Sequence, residues 1–253
     1  MNAVGRVMKR LLHAVAFLTR LPVPGPSIAG AADVGRAAIF FPVVGALLGS
    51  LLAGAASALA PRVPPLALAV LLVLLLAALT GALHLDGLAD TADGFGGGRT
   101  REDVLRIMRD HAIGAYGATA LALVLLLDAA LLAALLERGR AAPWLAVAPA
   151  LGRWVPVPLS RFLPYARAGG GLGASVTEHG GVVELAGATA LALAAAVGLA
   201  GAAGLLAFAA VALLALALGA LCRRRIGGVT GDTLGAGVEL AQAVVLLVAV
   251  AAG

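Results

Sequence analysis

The sequence predicts an all-α fold, a polytopic membrane helical bundle with six or seven transmembrane helices and an N-terminal interfacial helix. Hydrophobic residues make up 62% of the 253 residues and charged residues only 12%, far from the composition of a soluble domain. The apolar residues form successive runs that approach the length needed to cross a bilayer, about 20 residues. Basic residues flank these runs, which argues against nucleic acid as a partner. We expect a single integral membrane domain over residues 1–253.

The N-terminal helix is predicted over residues 1–20, where apolar and basic side chains alternate with a helical period typical of a membrane surface. Prolines then end the helix and predict an extended turn over residues 20–26. Cys222 is the single cysteine, which excludes an intramolecular disulfide.

Seven apolar runs follow the turn, and each predicts a membrane span. They cover residues 38–60, 64–83, 112–136, 141–159, 182–202, 203–221 and 234–252. Only three glycines separate the fifth run from the sixth, so six spans remain an alternative to seven.

The distribution of basic residues predicts the orientation. With seven spans and a cytoplasmic N-terminus, 15 of the 18 Lys and Arg residues fall on the cytoplasmic side. The same topology places three polar segments on that side: the acidic stretch 83–98, the glycine-rich stretch 169–173 and residues 223–237.

The acidic stretch is the strongest candidate for a site. Asp86, Asp90 and Asp93 are spaced by four and three residues, so they project from one face of a helix. Three like charges on one face favour a bound cation, and carboxylate oxygens suit Mg²⁺. The alternative is a solvated loop at the end of a span.

Two features after the acids are open to two interpretations each. The run Gly94–Gly98 predicts either an anion-binding nest of backbone amides or a flexible linker. Thr100 begins a short helix with a capping sequence, and its polar face carries Arg101, Arg106 and Arg109. These arginines bind either substrate phosphates or lipid headgroups.

Two charged residues lie inside apolar runs. Arg153, in Gly152-Arg153-Trp154, predicts a paired or functional group, with snorkelling to the membrane surface as the alternative. Asp128 lies deep in the third run, where we expect it to face a partner in the bundle without a catalytic role.

The segment 226–235 opens the last span. Gly228, Thr230, Gly231, Asp232 and Thr233 combine open backbone, hydroxyls and an acid at a helix N-terminus, which suits a phosphate and its metal. The sequence GxxxxGK[ST] is absent, so this is not a P-loop.

Together these motifs identify the chain as similar to the cobalamin synthase family, also named adenosylcobinamide-GDP ribazoletransferase. The resemblance extends over nearly the whole chain. It rests on FLTRLPVP at 17–24, FFPVVG at 40–45, HLDGLADTADG at 84–94, IMRD at 107–110, GAYG at 114–117, GRW at 152–154 and GVTGDT at 228–233.

The resemblance implies a transferase that joins adenosylcobinamide-GDP to α-ribazole, or to its 5′-phosphate, with release of GMP. The products are adenosylcobalamin or its 5′-phosphate, late in nucleotide-loop assembly. It also implies Mg²⁺, a bacterial inner membrane, and a homo-oligomer or an assembly with other corrinoid enzymes.

Residue roles follow as hypotheses. Asp86, Asp90 and Asp93 would hold Mg²⁺, with Asp232 as a further ligand. Arg109, Arg153 and residues 228–233 would contact the pyrophosphate or GMP. We rank an aspartate above His84 as the proton acceptor. His84 and Asp86 are two residues apart, so on a helix their side chains point in different directions.

Two residues depart from the family pattern, and two other classes of protein share some of these features. His111 and Gln242 differ from the residues that the family pattern has at their positions, and we expect no metal role for Gln242. A secondary transporter is the competing class, because Asp128 and Arg153 lie inside spans. Against it, the polar groups gather near one membrane surface and the halves show no repeat. A CDP-alcohol phosphotransferase is disfavoured because Asp90 follows Asp86-Gly-Leu-Ala where that class has Arg.

Overall fold

The computed structural model describes residues 3–23, 30–171 and 173–252, and the regular structure of this part is helical. The predicted all-α class is therefore confirmed. Residues 24–26 of the predicted turn lie outside the described residues, whereas residues 21–23 are non-helical. The helices are α1 Ala3–Leu18, α2 Ala31–Ala37, α3 Phe41–Leu59, α4 Pro65–Thr80, α5 Leu83–Gly97, α6 Arg101–Ile107, α7 Ala115–Glu137, α8 Ala141–Trp154, α9 Pro156–Phe162, α10 Ala174–His179, α11 Val182–Ile226 and α12 Gly231–Ala251.

Several helices are long and apolar enough to cross a membrane. Among the described residues, four meet that standard: Ala31–Leu59, which joins α2 to α3, and the helices α7, α11 and α12. The helices α4 and α5 meet it only as a pair, bent by 93°, which raises the number to as many as five. The predicted run 141–159 is divided between α8 and α9, which meet at Val155. All seven predicted runs thus correspond to helices.

The helix α11 consists of two antiparallel arms. Its backbone leaves the helical region at Gly201, with φ 58° and ψ −136°. A Cβ added at Gly204 would lie 1.9 Å from the carbonyl oxygen of Ala196, although eight residues of straight helix span about 12 Å. Trp154 also touches both arms, at Thr189 and at Phe208. The fifth and sixth predicted runs are therefore separate helices that turn at Gly201.

Glycines set the closest helix contacts of the bundle. A Cβ at Gly45 or Gly49 of α3 would lie 2.2 Å from the Pro149 carbonyl oxygen or 2.0 Å from that of Leu145, on α8. In the same way, Gly87 of α5 lies against the backbone of Asp232 at the start of α12. Such small-residue contacts allow backbones to meet where lipid provides no hydrophobic drive. The second contact brings the acidic helix to the segment 226–235.

The sharp bend between α4 and α5 arises from two left-handed residues, Gly81 with φ 64° and Ala82 with φ 56°. Arg20 fixes this bend, because its amide donates to the Leu79 carbonyl oxygen at 2.8 Å. Its side chain also covers Gly81, where a Cβ would lie 2.3 Å from Nε. The bend turns α5 away from the axis of α4.

One end of the bundle gathers the polar segments. The end of α1, the start of α3, the start of α5, the chain after α9 and the start of α12 all line one cleft there. At the opposite end, Arg138 after α7 donates to the Val250 carbonyl oxygen of α12 at 3.2 Å. The predicted clustering at one surface is thus present in the structure. The predicted N-terminal helix is present as α1, which leaves Val4, Val7 and Met8 exposed.

Candidate active site

We use the term carboxylate cleft for the cavity that opens at this end, with a volume of about 270 Å³. It lies between the start of α5, the start of α12 and residues 165–173. Its polar lining consists of His84, Asp86, Tyr165, Arg167 and Asp232. Two stretches about 150 residues apart in sequence therefore form one site.

The segment before α12 is held in place by the chain that follows α9. Val229 pairs with Tyr165 in a short parallel bridge, in which the Ala166 amide donates to the Val229 carbonyl oxygen at 2.8 Å. The Val229 amide donates to the Pro164 carbonyl oxygen at 2.9 Å. At Gly228 a Cβ would lie 2.2 Å from that same oxygen, so only glycine allows this approach. Gly228 therefore serves the backbone pairing.

Thr230 and Thr233 cap the N-terminus of α12. The Thr230 amide donates to the Thr233 hydroxyl at 2.9 Å, and the Thr233 amide donates to the Thr230 hydroxyl at 3.3 Å. Both residues are fully buried. We predicted both as substrate contacts, but the structure uses their hydroxyls inside the protein. The residues of this segment that line the cleft are Gly231, Asp232, Leu234 and Gly235.

Arg167 and Asp232 form the central ion pair of the cleft. One guanidinium nitrogen of Arg167 donates to the Asp232 carboxylate at 2.5 Å and to the Met108 carbonyl oxygen at 3.0 Å. The Thr230 hydroxyl also donates to Asp232, at 3.3 Å. The Nε of Arg167 is buried and has no partner among the described residues. Asp232 is thus fixed in position, and the Nε donor of Arg167 stays unsatisfied inside the described part of the protein.

Tyr165 lies beside this pair. Burial raises the pKa of its hydroxyl, and the Gly231 amide and the Arg167 guanidinium act in the opposite direction. The hydroxyl therefore stays protonated at neutral pH, where it can donate a hydrogen bond. Sequence reasoning missed both Tyr165 and Arg167. We counted Arg167 only among the basic residues that predict the orientation. The one signal in the sequence that could have indicated a site was its position just before the glycine-rich stretch 169–173.

The carboxylates of α5 fall into two groups. Asp86 is exposed in the cleft, and Asp90 is half-buried within electrostatic range of Asp86, Asp232 and Arg167. No hydrogen bond or ion pair engages the carboxylate of Asp86 or Asp90 within the described ranges. The structure therefore brings Asp86, Asp90 and Asp232 into one neighbourhood, and two of the three keep free oxygens.

Asp93 has a different environment. Its two carboxylate oxygens accept hydrogen bonds from the amides of Gly114 and Gly117, at 2.7 and 2.8 Å. A Cβ at either glycine would lie within 2.4 Å of this carboxylate, which explains the glycines of GAYG. Asp93 thus caps the N-terminus of α7 from a neighbouring helix.

Both interpretations of the glycine run Gly94–Gly98 are wrong. Residues 94–97 continue α5, and they form neither a nest nor a linker. Glycine is required because α6 and α7 pack closely here: a Cβ at Gly94 would lie 2.4 Å from Met108, and one at Gly96 would lie 2.5 Å from the Tyr116 ring. The run therefore makes room for neighbouring helices.

A buried polar network lies behind the cleft. Arg153 is completely buried and donates to the Gln242 side chain at 2.7 Å, and Gln242 donates to Glu239 at 3.1 Å. Glu239 Oε1 lies 4.0 Å from Nδ1 of His84. His84 forms part of the cleft wall, whereas Arg153 does not reach the cleft. Arg153 is thus paired inside the bundle, and the snorkelling alternative is wrong.

Asp128 also faces this interior. It is buried, and it lines a small cavity together with Glu239 and Gln242. Asp128 therefore faces the bundle interior as expected, but its Oδ1 has no hydrogen-bond partner among the described residues.

The short helix α6 agrees with its prediction, since the Thr100 hydroxyl accepts the Asp103 amide at 3.1 Å and Val104 and Met108 are buried. Arg109, predicted to contact phosphate, lines a separate groove on α6 that meets the cleft at Arg167.

The donor set of the cleft fits Mg²⁺. Among the described residues, no three His, Cys, Asp or Glu side chains are grouped tightly enough to hold an ion by themselves. Mg²⁺ in phosphoryl-transfer sites commonly uses one or two carboxylates and completes its shell with water and substrate phosphates. Asp86 lines the cleft with free oxygens, and half-buried Asp90 lies close enough to feel its charge, so the carboxylates present are of the type that Mg²⁺ uses.

Fold and site together define a polytopic membrane protein with a carboxylate and arginine cleft suited to a phosphorylated substrate. A sequence model of the family described as cobalamin-5-phosphate synthase matches residues 10–250. The chain belongs to this family.

Curated relatives agree with the assignment. Adenosylcobinamide-GDP ribazoletransferases of Chlorobium phaeobacteroides and Pelodictyon phaeoclathratiforme are 40% and 42% identical to the chain. These matches cover 94% and 96% of this chain, and 96% and 97% of the relatives. The relative of the same name from Ralstonia nicotianae is 40% identical over 99% of this chain and 98% of its own length. No solved structure gives a significant match. Membership of this family therefore replaces both the transporter and the CDP-alcohol phosphotransferase alternatives.

Proposed function

We propose that this chain joins adenosylcobinamide-GDP to α-ribazole, or to α-ribazole 5′-phosphate, and releases GMP. Family membership over nearly the full length supports this reaction. The observation that carries it in the structure is the meeting of His84 and Asp86 with Asp232 in one cleft, where Asp232 forms an ion pair with Arg167.

The reaction needs positioning and charge neutralisation more than covalent help from the protein. A ribose hydroxyl oxygen forms a bond to the corrinoid-side phosphorus, the bridging P–O bond breaks, and GMP leaves with the bridging oxygen. Arg167, which lines the cleft, supplies a positive charge for the pyrophosphate. Protonated Tyr165 supplies a neutral donor beside it.

We assign Mg²⁺ to Asp86, Asp90 and Asp232. When bound there, it would neutralise the charge that develops on the phosphate oxygens. Asp93 is the weakest of the four predicted ligands, because both its oxygens already accept backbone hydrogen bonds. The proton of the attacking hydroxyl passes to a carboxylate of the cleft, with Asp86 the most exposed acceptor and His84 the alternative in the wall.

The proposed location is a bacterial inner membrane with the cleft facing the cytoplasm. The excess of basic residues at the cleft end supports this orientation. Membrane lipid surrounds the bundle, and a homo-oligomer or an assembly with other corrinoid enzymes stays a prediction from the family resemblance.

The test is GMP release by the full chain in detergent or nanodiscs. We expect GMP and a cobalamin product only when adenosylcobinamide-GDP, α-ribazole and Mg²⁺ are all present. Asp90→Asn should lose most activity, whereas Glu137→Gln, at the exposed far end of α7, should keep it. Absence of product from the folded parent protein would contradict the proposed function.

A further inference from the structure

A second concavity adjoins the carboxylate cleft. We name it the arginine groove: it lies between α6 and residues 166–168 and has a volume of about 430 Å³. That is within the range of small-molecule sites, roughly 300–1,000 Å³. Arg167 lines both the groove and the cleft, so the two concavities adjoin at this residue.

The arginines of the groove are not equally available. Arg101 is committed to the backbone, because it donates to the carbonyl oxygens of Ile226 and Ala166 at 2.9 and 3.0 Å. Arg106 is paired with Asp103 at 3.4 Å, on the surface. No hydrogen bond or ion pair engages the guanidinium of Arg109 within residues 3–23, 30–171 and 173–252. Arg109 is thus the cation of the groove that is free for an anionic ligand.

The groove also contains one acid. Glu102 is exposed, lines the groove and makes no hydrogen bond or ion pair in the described part of the chain. Glu102 and Arg106 are four residues apart on α6, about one helical turn, and Arg109 follows the end of that helix at Ile107. A free carboxylate and a free guanidinium therefore line the same groove.

This pair of charges selects a class of ligand. Guanine presents its N1–H and its 2-amino group side by side, and an ionised carboxylate accepts from both with its two oxygens. Adenine presents a ring acceptor and a single amino group on that edge, so one carboxylate oxygen would face a lone pair. A guanidinium suits the phosphate of the same nucleotide.

We propose that the arginine groove binds the guanosine monophosphate part of the substrate and product, with Arg109 at the phosphate and Glu102 at the guanine. The inference rests on the proposed function for the identity of the nucleotide. It adds a specificity residue, Glu102, and a route for the leaving group, from the cleft past Arg167 into the groove.

The test is equilibrium binding of GMP, IMP and AMP to the full chain in nanodiscs of phosphatidylcholine. IMP lacks the 2-amino group, so the parent protein should bind GMP more tightly than IMP or AMP. Glu102→Gln should weaken GMP about tenfold and remove most of the preference over IMP, because a hydrogen bond to a charged group is lost. Arg109→Ala should weaken all three nucleotides by a similar factor.

Arg140→Ala, at an exposed site between α7 and α8, is the matched control and should bind all three as the parent does. If Glu102→Gln and Arg109→Ala both bind GMP as the parent does, the proposed subsite is wrong. If the parent still releases GMP from adenosylcobinamide-GDP in that case, the proposed function stands without the subsite. If Glu102→Gln loses the preference for GMP but the parent protein forms no cobalamin, the nucleotide site in the groove is supported and the proposed function is wrong.

A phospholipid headgroup offers the same phosphate chemistry. Nanodiscs that contain phosphatidylglycerol provide the second arm of the experiment. If the groove is a nucleotide site, the anionic lipid leaves the GMP affinity within about twofold of its value in phosphatidylcholine. Displacement of GMP by phosphatidylglycerol, with equal affinity for GMP and AMP, would assign the groove to lipid and overturn the proposal.

Discussion

At the scale of single residues, the three aspartates of α5 have separate roles despite their common helical face. Asp86 is exposed in the cleft, Asp90 lies among other charges, and Asp93 is buried against α7. Sequence spacing predicts that the three share a face, and it does not show which neighbour meets each one. That distinction depends on the start of α7, which comes 21 residues after Asp93 at Gly114.

Asp93→Ala should destabilise the protein by about 3 kcal/mol, because two hydrogen bonds from backbone amides to a carboxylate are lost. Asp93→Asn keeps one acceptor oxygen and should cost about half as much. Thermal or denaturant unfolding in detergent measures the difference, with Glu137→Gln as the control on an exposed acid. Parent-like unfolding of Asp93→Ala together with a raised Mg²⁺ requirement would instead make Asp93 a metal ligand.

Part of the candidate site could be predicted from the sequence. The acids of α5 and Asp232 were predicted, and the structure places them near one another. Arg153, Thr230 and Thr233 were expected at the substrate, but burial and capping occupy their side chains. Arg167 and Tyr165 escaped prediction because their place depends on a two-residue pairing with Val229, which no local pattern encodes.

At the scale of helices, glycines determine which surfaces meet. Hydropathy identified the apolar runs, and it gave no information on which helices would be neighbours. The contact between α3 and α8 depends on Gly45 and Gly49, a pair of small residues four apart. The contact between α5 and α12, through Gly87 and Gly235, determines where the acids lie. The glycine run at 94–98 was misinterpreted because glycine in a membrane helix serves packing as well as flexibility.

Gly45→Ala should destabilise the bundle by about 1–3 kcal/mol, because its Cβ would overlap the Pro149 carbonyl oxygen on α8. Gly54 lies in the same helix with open space around its Cβ, so Gly54→Ala should stabilise the helix by about 1 kcal/mol. Unfolding of the two variants in one detergent gives the comparison. Equal shifts in the same direction would contradict the proposed contact between α3 and α8.

At the scale of the whole molecule, the chain places its polar segments at one end of an apolar bundle. The number and positions of the apolar runs were predictable, and the turn at Gly201 resolves the ambiguity between the fifth and sixth runs. The break within residues 141–159 was not predicted, although Pro156 begins the second helix there. The length and hydrophobicity of an apolar run do not show where a helix breaks within it.

Single cysteines should report the orientation in a background where Cys222, buried and unique, is replaced by alanine. Cysteines at Arg62 and Arg140 should react with an impermeant maleimide in intact spheroplasts. Cysteines at Arg99 and Glu178 should react only after lysis, because the proposed orientation places the cleft end in the cytoplasm. The reverse pattern would place the cleft on the outer side.

The central claim is that Asp232 and the acids of α5 form one reaction centre, and Asp232→Asn tests it most directly. Removal of this charge should reduce GMP release at saturating substrate by about 100-fold or more, since charge stabilisation carries such reactions. The Mg²⁺ concentration for half-maximal rate should rise, while unfolding stays close to that of Glu137→Gln. Parent-like turnover with an unchanged Mg²⁺ requirement would contradict the claim and place the chemistry elsewhere.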